Sequence, residues 1–412
     1  MFWLWQRDWG ECPESLKNSK SVPLQANAHD RPRRPQSVAV QRPSVPSQKV
    51  LRTLRGPRES CPYAPLAGGT SAPCVLARLA FRSPGTGEHH LKGHLRVGLD
   101  VSPLDQTRAG TARYLRGLLA HNDYVQLRFA GRGRLATIAR DAYWYPLALS
   151  RQARKGVDLL HCPTFRGPLS SSVLVVVTVH DLAVLRHPET FNLWTRRYSR
   201  YCVPRVVQAA RRVIAVSEFT KRELVEVLGT PEEKIRVVPN GVADVFGPAG
   251  PAADGEYALT VGTLEPRKNL AAAEQAARRL GIELRVVGEP GWGGVGVDGW
   301  LGRVSDEELA ALYRGARCLV YPSLYEGFGL PVLEAMACGT PVVTSAGGAT
   351  EEVSGGAAVL VDPLDVDSIA AGIAEADRRR EELVRLGLER AQAFGWAAVA
   401  AATAEVYHEA LG

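Results

Sequence analysis

The segment with the most chemical content is YPSLYEGFGLPVLEAMACGTPVVTS, residues 321–345, where Glu326 and Glu334 stand eight positions apart around a Gly-Phe-Gly turn. That spacing lets one carboxylate sit in a loop at a strand end while the other rides the following helix. Gly327 and Gly329 permit close backbone approach, and Pro331 suits a first helical turn, so the amides of that terminus can hold an anion. Spacing alone leaves a plainer alternative, two glutamates that only favour the dipole at a helix start. A second polar pair, His180-Asp181, ends the aliphatic run VLVVVTV at 173–179 and so belongs at a strand's carboxyl end. Asp365-Val366-Asp367 has a D-x-D form able to hold a divalent cation, but it precedes the helical stretch SIAAGIAEA, where an aspartate reads as an N-cap. The seven cysteines are odd in number and include no C-x-x-C pair, which points to neither a disulfide framework nor a zinc site and fits a reducing compartment.

The elements that must carry these residues come in two series. From Leu95 onward, short β-branched runs alternate with amphipathic stretches, as a parallel sheet built from alternating β and α units requires. LRVGLDV (95–101), VLVVVTV (173–179), VIAVS (213–217) and IRVVPNG (235–241) read as strands of the first series, with TARYLRGLLA (111–120) as a helix. ALTVG (258–262), LRVVG (284–288), CLVYPS (318–323), PVVTS (341–345) and AVLVDP (358–363) begin a second, with the helix-like NLAAAEQAARRLG at 269–281. Two Rossmann-like domains are expected, 95–245 and 246–412, joined near the Gly- and Pro-rich stretch 243–256, with the last helix crossing back to the first. Ligands of such folds usually bind in the crevice at the strand carboxyl ends.

Residues 1–94 are rich in Pro, Ser and Arg and show no helical or strand period, so they read either as a disordered tail or as an over-long start assignment. The net charge of +7 hides a division: residues 95–245 carry 23 Lys/Arg against 13 Asp/Glu, and 246–412 carry 13 against 24, about +10 and −11. The basic half includes 131–156, where Arg132, Arg134, Arg140, Arg151, Arg154 and Lys155 surround Tyr143, Trp144 and Tyr145. That mixture suits an anionic lipid surface or, equally, a solvated basic helix or a wall of an acceptor cleft; nucleic acid is not expected, because no recognised binding module appears. The longest aliphatic run is too short to span a bilayer, and the opening MFWLWQRDWG lacks the apolar core of a secretory signal. A cytoplasmic chain, at most peripheral at the inner face of a membrane, is expected.

From Leu95 to the C-terminus the chain resembles glycosyltransferase family 4, whose members share a paired-glutamate motif on the second Rossmann domain. The motifs that carry the resemblance are GTARYLRGLL (110–119), DLLHCPTF (158–165), VTVHDLAVLRHPETF (177–191), VIAVSEFTKREL (213–224), VPNGV (238–242), VGTLEPRKNL (261–270), GRVSDEELAALY (302–313) and the glutamate segment. The resemblance implies a GT-B fold, two Rossmann-like domains facing across a cleft. It further implies a retaining, metal-independent transfer of a hexosyl group such as mannosyl from a nucleotide diphosphate sugar to a hydroxyl of a glycan or glycolipid, with no cofactor. A non-catalytic nucleotide-sugar scaffold, or a sugar-nucleotide epimerase on the same scaffold, are the alternatives.

Residue roles follow from the same resemblance. Arg267 and Lys268, after the Gly262 turn, should meet the charge that grows on a departing diphosphate. Thr263 departs from many relatives, which have an arginine there, and this places more of the phosphate contact on Arg267 and Lys268. Glu334 should bond the donor ribose; Glu326 and the Phe328-Gly329 backbone should contact the donor sugar, with Gly327 and Leu330 also at the donor site. The base should lie near Arg303 and Val304, Gly110 should approach the diphosphate from the first lobe, and His180 should contact donor sugar or acceptor near the reacting carbon.

Overall fold

The computed structural model describes residues 95–412 except 107–109, 132, 292 and 294. The readings of 1–94, of Arg132 and of the Arg134 side chain lie outside the described residues. Two parallel six-stranded sheets form the frame. The first comprises β1 (Val97–Asp100), β2 (Val125–Leu127), β3 (Leu159–Cys162), β4 (Leu174–Val179), β5 (Arg212–Ala215) and β6 (Ile235–Val237) in the order β2-β1-β3-β4-β5-β6. The second comprises β7 (Tyr257–Val261), β8 (Glu283–Val287), β9 (Trp300–Gly302), β10 (Cys318–Tyr321), β11 (Val342–Ser345) and β12 (Val359–Val361) in the order β12-β11-β10-β7-β8-β9. Strands such as β4 and β10 are buried along nearly their whole length, which explains why they appear in sequence as unbroken aliphatic runs rather than alternating ones.

Strand order reverses between β1 and β3 in the first sheet and between β7 and β10 in the second, and such a reversal opens a crevice at the strand carboxyl ends. The loops that leave β7 and β10 at this point are the ones carrying Lys268 and Glu326.

The helices that border the crevice are α1 (Gly110–His121), α2 (Glu218–Leu228), α3 (Asp306–Gly315) and α4 (Leu330–Ala337). Three of these starts have a local cause. Ser217 caps α2 by accepting from Thr220 N, and Ser305 caps α3 in a reciprocal capping box with Glu308. For α4 the start is Gly329 at φ +109°, followed by Pro331, with no side chain capping the terminus. The C-terminal helix α5 (Trp396–Leu411) packs on the first lobe, where Trp396, Val399 and Tyr407 are buried with Tyr114, Val176 and Ile214.

Candidate functional site

A cavity of about 480 Å³ lies between the facing switch points and is lined from both lobes. Of the residues singled out by sequence, Gly110, His180, Gly262, Thr263, Arg267, Lys268, Arg303, Val304, Glu326, Gly327, Phe328, Gly329 and Leu330 all line it. Glu334 does not: it is buried behind the wall.

The core of the site is a charge cluster built by the loops after β7 and β10. Glu326 Oε1 accepts from Lys268 Nζ (2.5 Å), Ser323 Oγ (2.6 Å) and Tyr321 Oη (2.9 Å), while Oε2 lies 3.3 Å from Arg267 Nη1. Burial pushes this carboxyl up, but Lys268 and Arg267 outweigh it and bring the pKa down to about 2. Glu326 is therefore an ionised group held by two cations, poorly suited to act as a base. Burial lowers the Lys268 pKa, and Glu326 opposes that shift. Arg267 also pairs with Glu265 (2.7 Å) and donates to the Tyr325 carbonyl (3.0 Å). The two cations face the cavity, yet each is already met by a carboxylate.

The Gly327-Phe328-Gly329 turn brings the second lobe onto the first. A Cβ on Gly327 would lie 1.7 Å from the carbonyl oxygen of His180, so the two backbones meet at a distance only glycine allows. His180 Nε2 donates to the Pro163 carbonyl (3.0 Å), its ring packs edge-on against Tyr114 with centroids 5.0 Å apart, and burial lowers its pKa. A neutral ring that donates through Nε2 keeps Nδ1 as its acceptor. At Gly329 the left-handed backbone starts α4; no side chain caps this end, Pro331 brings no N–H, Val332 N donates to the Gly329 carbonyl (3.0 Å), and Leu330 lines the cavity.

Glu334 is spent elsewhere. Its Oε1 is bonded by Arg113 of α1, and its Oε2 accepts from Tyr313 Oη (3.1 Å). Burial raises the Glu334 pKa against the pull of Arg113. Arg113 also pairs with Asp306 at the start of α3 (2.6 Å), forming an ion bridge from the first lobe to two carboxylates of the second. Sequence reading missed Arg113, Tyr313 and Asp306 as site-forming residues; the available signal was helical spacing, which puts Arg113 one turn beyond Gly110 on α1.

Two further readings are corrected or refined by geometry. Asp365 caps the helix Val366–Arg378, its Oδ1 accepting from Asp367 N (2.9 Å), while Asp367 pairs with Arg279, so the D-x-D carboxylates are engaged away from the cavity. In the basic segment, Trp144 and Tyr145 are core residues, and Arg140 is buried against Asp141 (2.9 Å). Tyr143 alone of the three aromatics is exposed, and none of the segment's described residues lines this cavity.

Two family models match the chain: "Glycosyltransferase Family 4" over residues 99–245 and "Glycosyl transferases group 1" over 299–392. Similar curated proteins include the O-antigen chain mannosyltransferase B of Escherichia coli, 36% identical over 253 residues, covering 54% of this chain and 66% of that protein. A D-inositol 3-phosphate glycosyltransferase of Catenulispora acidiphila is 35% identical over 246 residues, 50% of this chain and 58% of that protein. The aligned region thus spans two thirds or less of these relatives. Among solved structures, sucrose-phosphate synthase from Thermosynechococcus elongatus superposes with a TM-score of 0.60 at 22% identity, covering 77% of this chain and 99% of that one. The Anabaena protein HepE in complex with UDP-glucose gives 0.59 at 17% identity, covering 77% and 100%. These structural likenesses speak to the fold, and the fold is GT-B. With both halves matched in order, the chain belongs to the GT-B glycosyltransferases of family 4, its second lobe being the group 1 glycosyl transferase domain.

Proposed function

We propose that this chain is a retaining hexosyltransferase that moves a sugar, mannosyl in the first instance, from a nucleotide diphosphate donor to a hydroxyl of a growing glycan or glycolipid, without a divalent metal. The observation that carries the reading is the interlobe cavity itself: the Leu330 end of α4, the Arg267 and Lys268 side chains and the Glu326 carboxylate converge on one space. Departure of a diphosphate adds negative charge, and preorganised amides and cations stabilise it as it develops. A Glu326 held ionised by two cations positions the donor sugar rather than attacking it. This favours front-face displacement, in which the leaving phosphate oxygen takes the acceptor proton, and His180 Nδ1 orients a hydroxyl nearby. The relatives named as mannosyltransferases and the UDP-glucose bound by HepE support the donor class. For Glu334 to reach the ribose, Arg113 must release Oε1. A thermal-shift panel of GDP, UDP, dTDP and ADP sugars in chelator tests the reading, since a ligand at a hundred times its Kd stabilises by about 2.7 kcal/mol. One base should shift melting strongly; no shift with any of them contradicts it.

We also propose peripheral contact with anionic lipid through the first lobe. Exposed Tyr143 and Leu147 are joined by Leu193, Trp194 and Tyr201 of the neighbouring helix, which the Trp194 Nε1 to Asp141 bond (3.2 Å) ties to the segment. Arg196, Arg197 and Arg200 on that helix are exposed, with no carboxylate partner among the described residues. Binding to anionic vesicles should fall as salt rises, because exposed charges are screened over about 8–10 Å near physiological ionic strength. Binding insensitive to salt, or none, removes the proposal.

A further inference from the structure

Glu352, on the helix Ala349–Ser354 of the second lobe, accepts the backbone N–H of Glu218 through Oε1 (2.7 Å) and that of Phe219 through Oε2 (2.8 Å). These are the first two amides of α2, in the first lobe. The third, Thr220 N, is taken by Ser217 Oγ (3.0 Å), so the orphan donors of this helix end are divided between its own cap and a carboxylate from across the interface. A negative group is doubly suited here, since it accepts two hydrogen bonds and meets the positive end of the helix dipole.

The same helix end holds the second lobe at another point. Ser217 Oγ (2.7 Å) and Thr220 Oγ1 (3.0 Å) both donate to the carbonyl of Gly327, the residue after Glu326 and the one pressed against His180. Docking this one helix terminus therefore fixes how the Glu326 loop meets the His180 loop. Glu352 takes part in the docking without lining the cavity.

We infer that Glu352 is a positioning residue: its carboxylate clamps the N-terminus of α2 and holds the lobes in the arrangement that sets Glu326 and Gly327 against His180. The consequence for sugar transfer rests on the function proposed above; the clamp does not. Glu352→Gln keeps the shape but turns an N–H donor toward one of the two amides, and Glu352→Ala removes both bonds.

The test combines three measurements on the full chain. Hydrogen exchange at Glu218 and Phe219 should accelerate by about tenfold or more in Glu352→Ala, the equivalent of roughly 1.4 kcal/mol, while the later amides of α2 keep their protection. Single-turnover transfer at saturating donor should fall about tenfold, with nucleoside diphosphate affinity held within about twofold, because Glu352 lies outside the cavity. Glu352→Gln should lie between wild type and Glu352→Ala in both exchange and rate. Unchanged exchange at the two amides overturns the clamp. Faster exchange with wild-type transfer overturns the positioning role, and so does a parallel loss of nucleotide affinity, which would make Glu352 a stabiliser of its own lobe. If the wild-type protein turns over no nucleotide sugar, the proposed function fails while the exchange result still judges the clamp.

Discussion

At the scale of single residues, the cluster around Glu326 divides labour by where charge changes. On the function proposed above, Lys268 meets a diphosphate that is more negative at the transition state than in the bound donor, so Lys268→Ala should lower single-turnover transfer by about 100-fold to 1,000-fold. Glu326→Gln should reduce transfer while leaving free nucleotide affinity nearly unchanged, and Glu334→Gln should chiefly weaken donor binding. Measuring nucleotide affinity and single-turnover rate for all three checks this; wild-type transfer by Lys268→Ala, or equal affinity losses in the two glutamate variants, contradicts it. Glu326, Arg267 and Lys268 were legible in sequence because each belongs to a short loop whose strand and glycine turn are local signals. The partners of Glu334 were not. Arg113 reaches it from 221 positions away, across a lobe boundary, and no local period encodes that meeting.

At the scale of elements, strands with a buried aliphatic run were legible, and β2, β3 and β9 were not. β4, β7, β10 and β11 are rich in buried aliphatic residues; β3, though fully buried, ends in His161 and Cys162, and β2 and β9 are three-residue edge strands, partly or largely exposed, with no apolar pattern to betray them. Of the trio Tyr143-Trp144-Tyr145 only Tyr143 faces out, because a helical stretch turns consecutive residues to different faces, and the sequence does not say which one. The Gly-Phe-Gly turn was read as allowing close approach to a ligand; its first glycine approaches the other lobe. Gly327→Ala should therefore keep the fold, because the clash with the His180 carbonyl can be relieved by parting the lobes, yet lose transfer by about 100-fold, as roughly 1 Å of misplacement can cause. A melting curve together with single-turnover rates decides the point: wild-type transfer would show that the contact is not needed for reaction.

At the scale of the whole molecule, two doubly wound sheets set their switch points opposite one another, and the C-terminal helix ties the first lobe to the end of the chain. Behind β4 that tie is polar: His161 Nδ1 lies 2.7 Å from Tyr407 Oη of α5, and Nε2 lies 2.8 Å from Thr178 Oγ1. Burial lowers the His161 pKa from 6.5 to about 3. The unfolded chain thus takes up a proton near pH 6.5 that the folded chain refuses until about pH 3, so stability falls as pH drops through that window and is fully present above it. Denaturant unfolding from pH 7 to 4 should show a shallower pH dependence for His161→Gln than for wild type; an equal slope would mean His161 is not the group that titrates. The function proposed above implies a single chemical outcome, transfer that keeps the anomeric configuration without a metal. Proton NMR of the product formed from an α-linked nucleotide diphosphate sugar and a hydroxyl acceptor in excess chelator measures it directly. An α-glycoside and free nucleoside diphosphate are the expected products; a β-glycoside, or turnover that appears only when magnesium or manganese is restored, would contradict the proposed function.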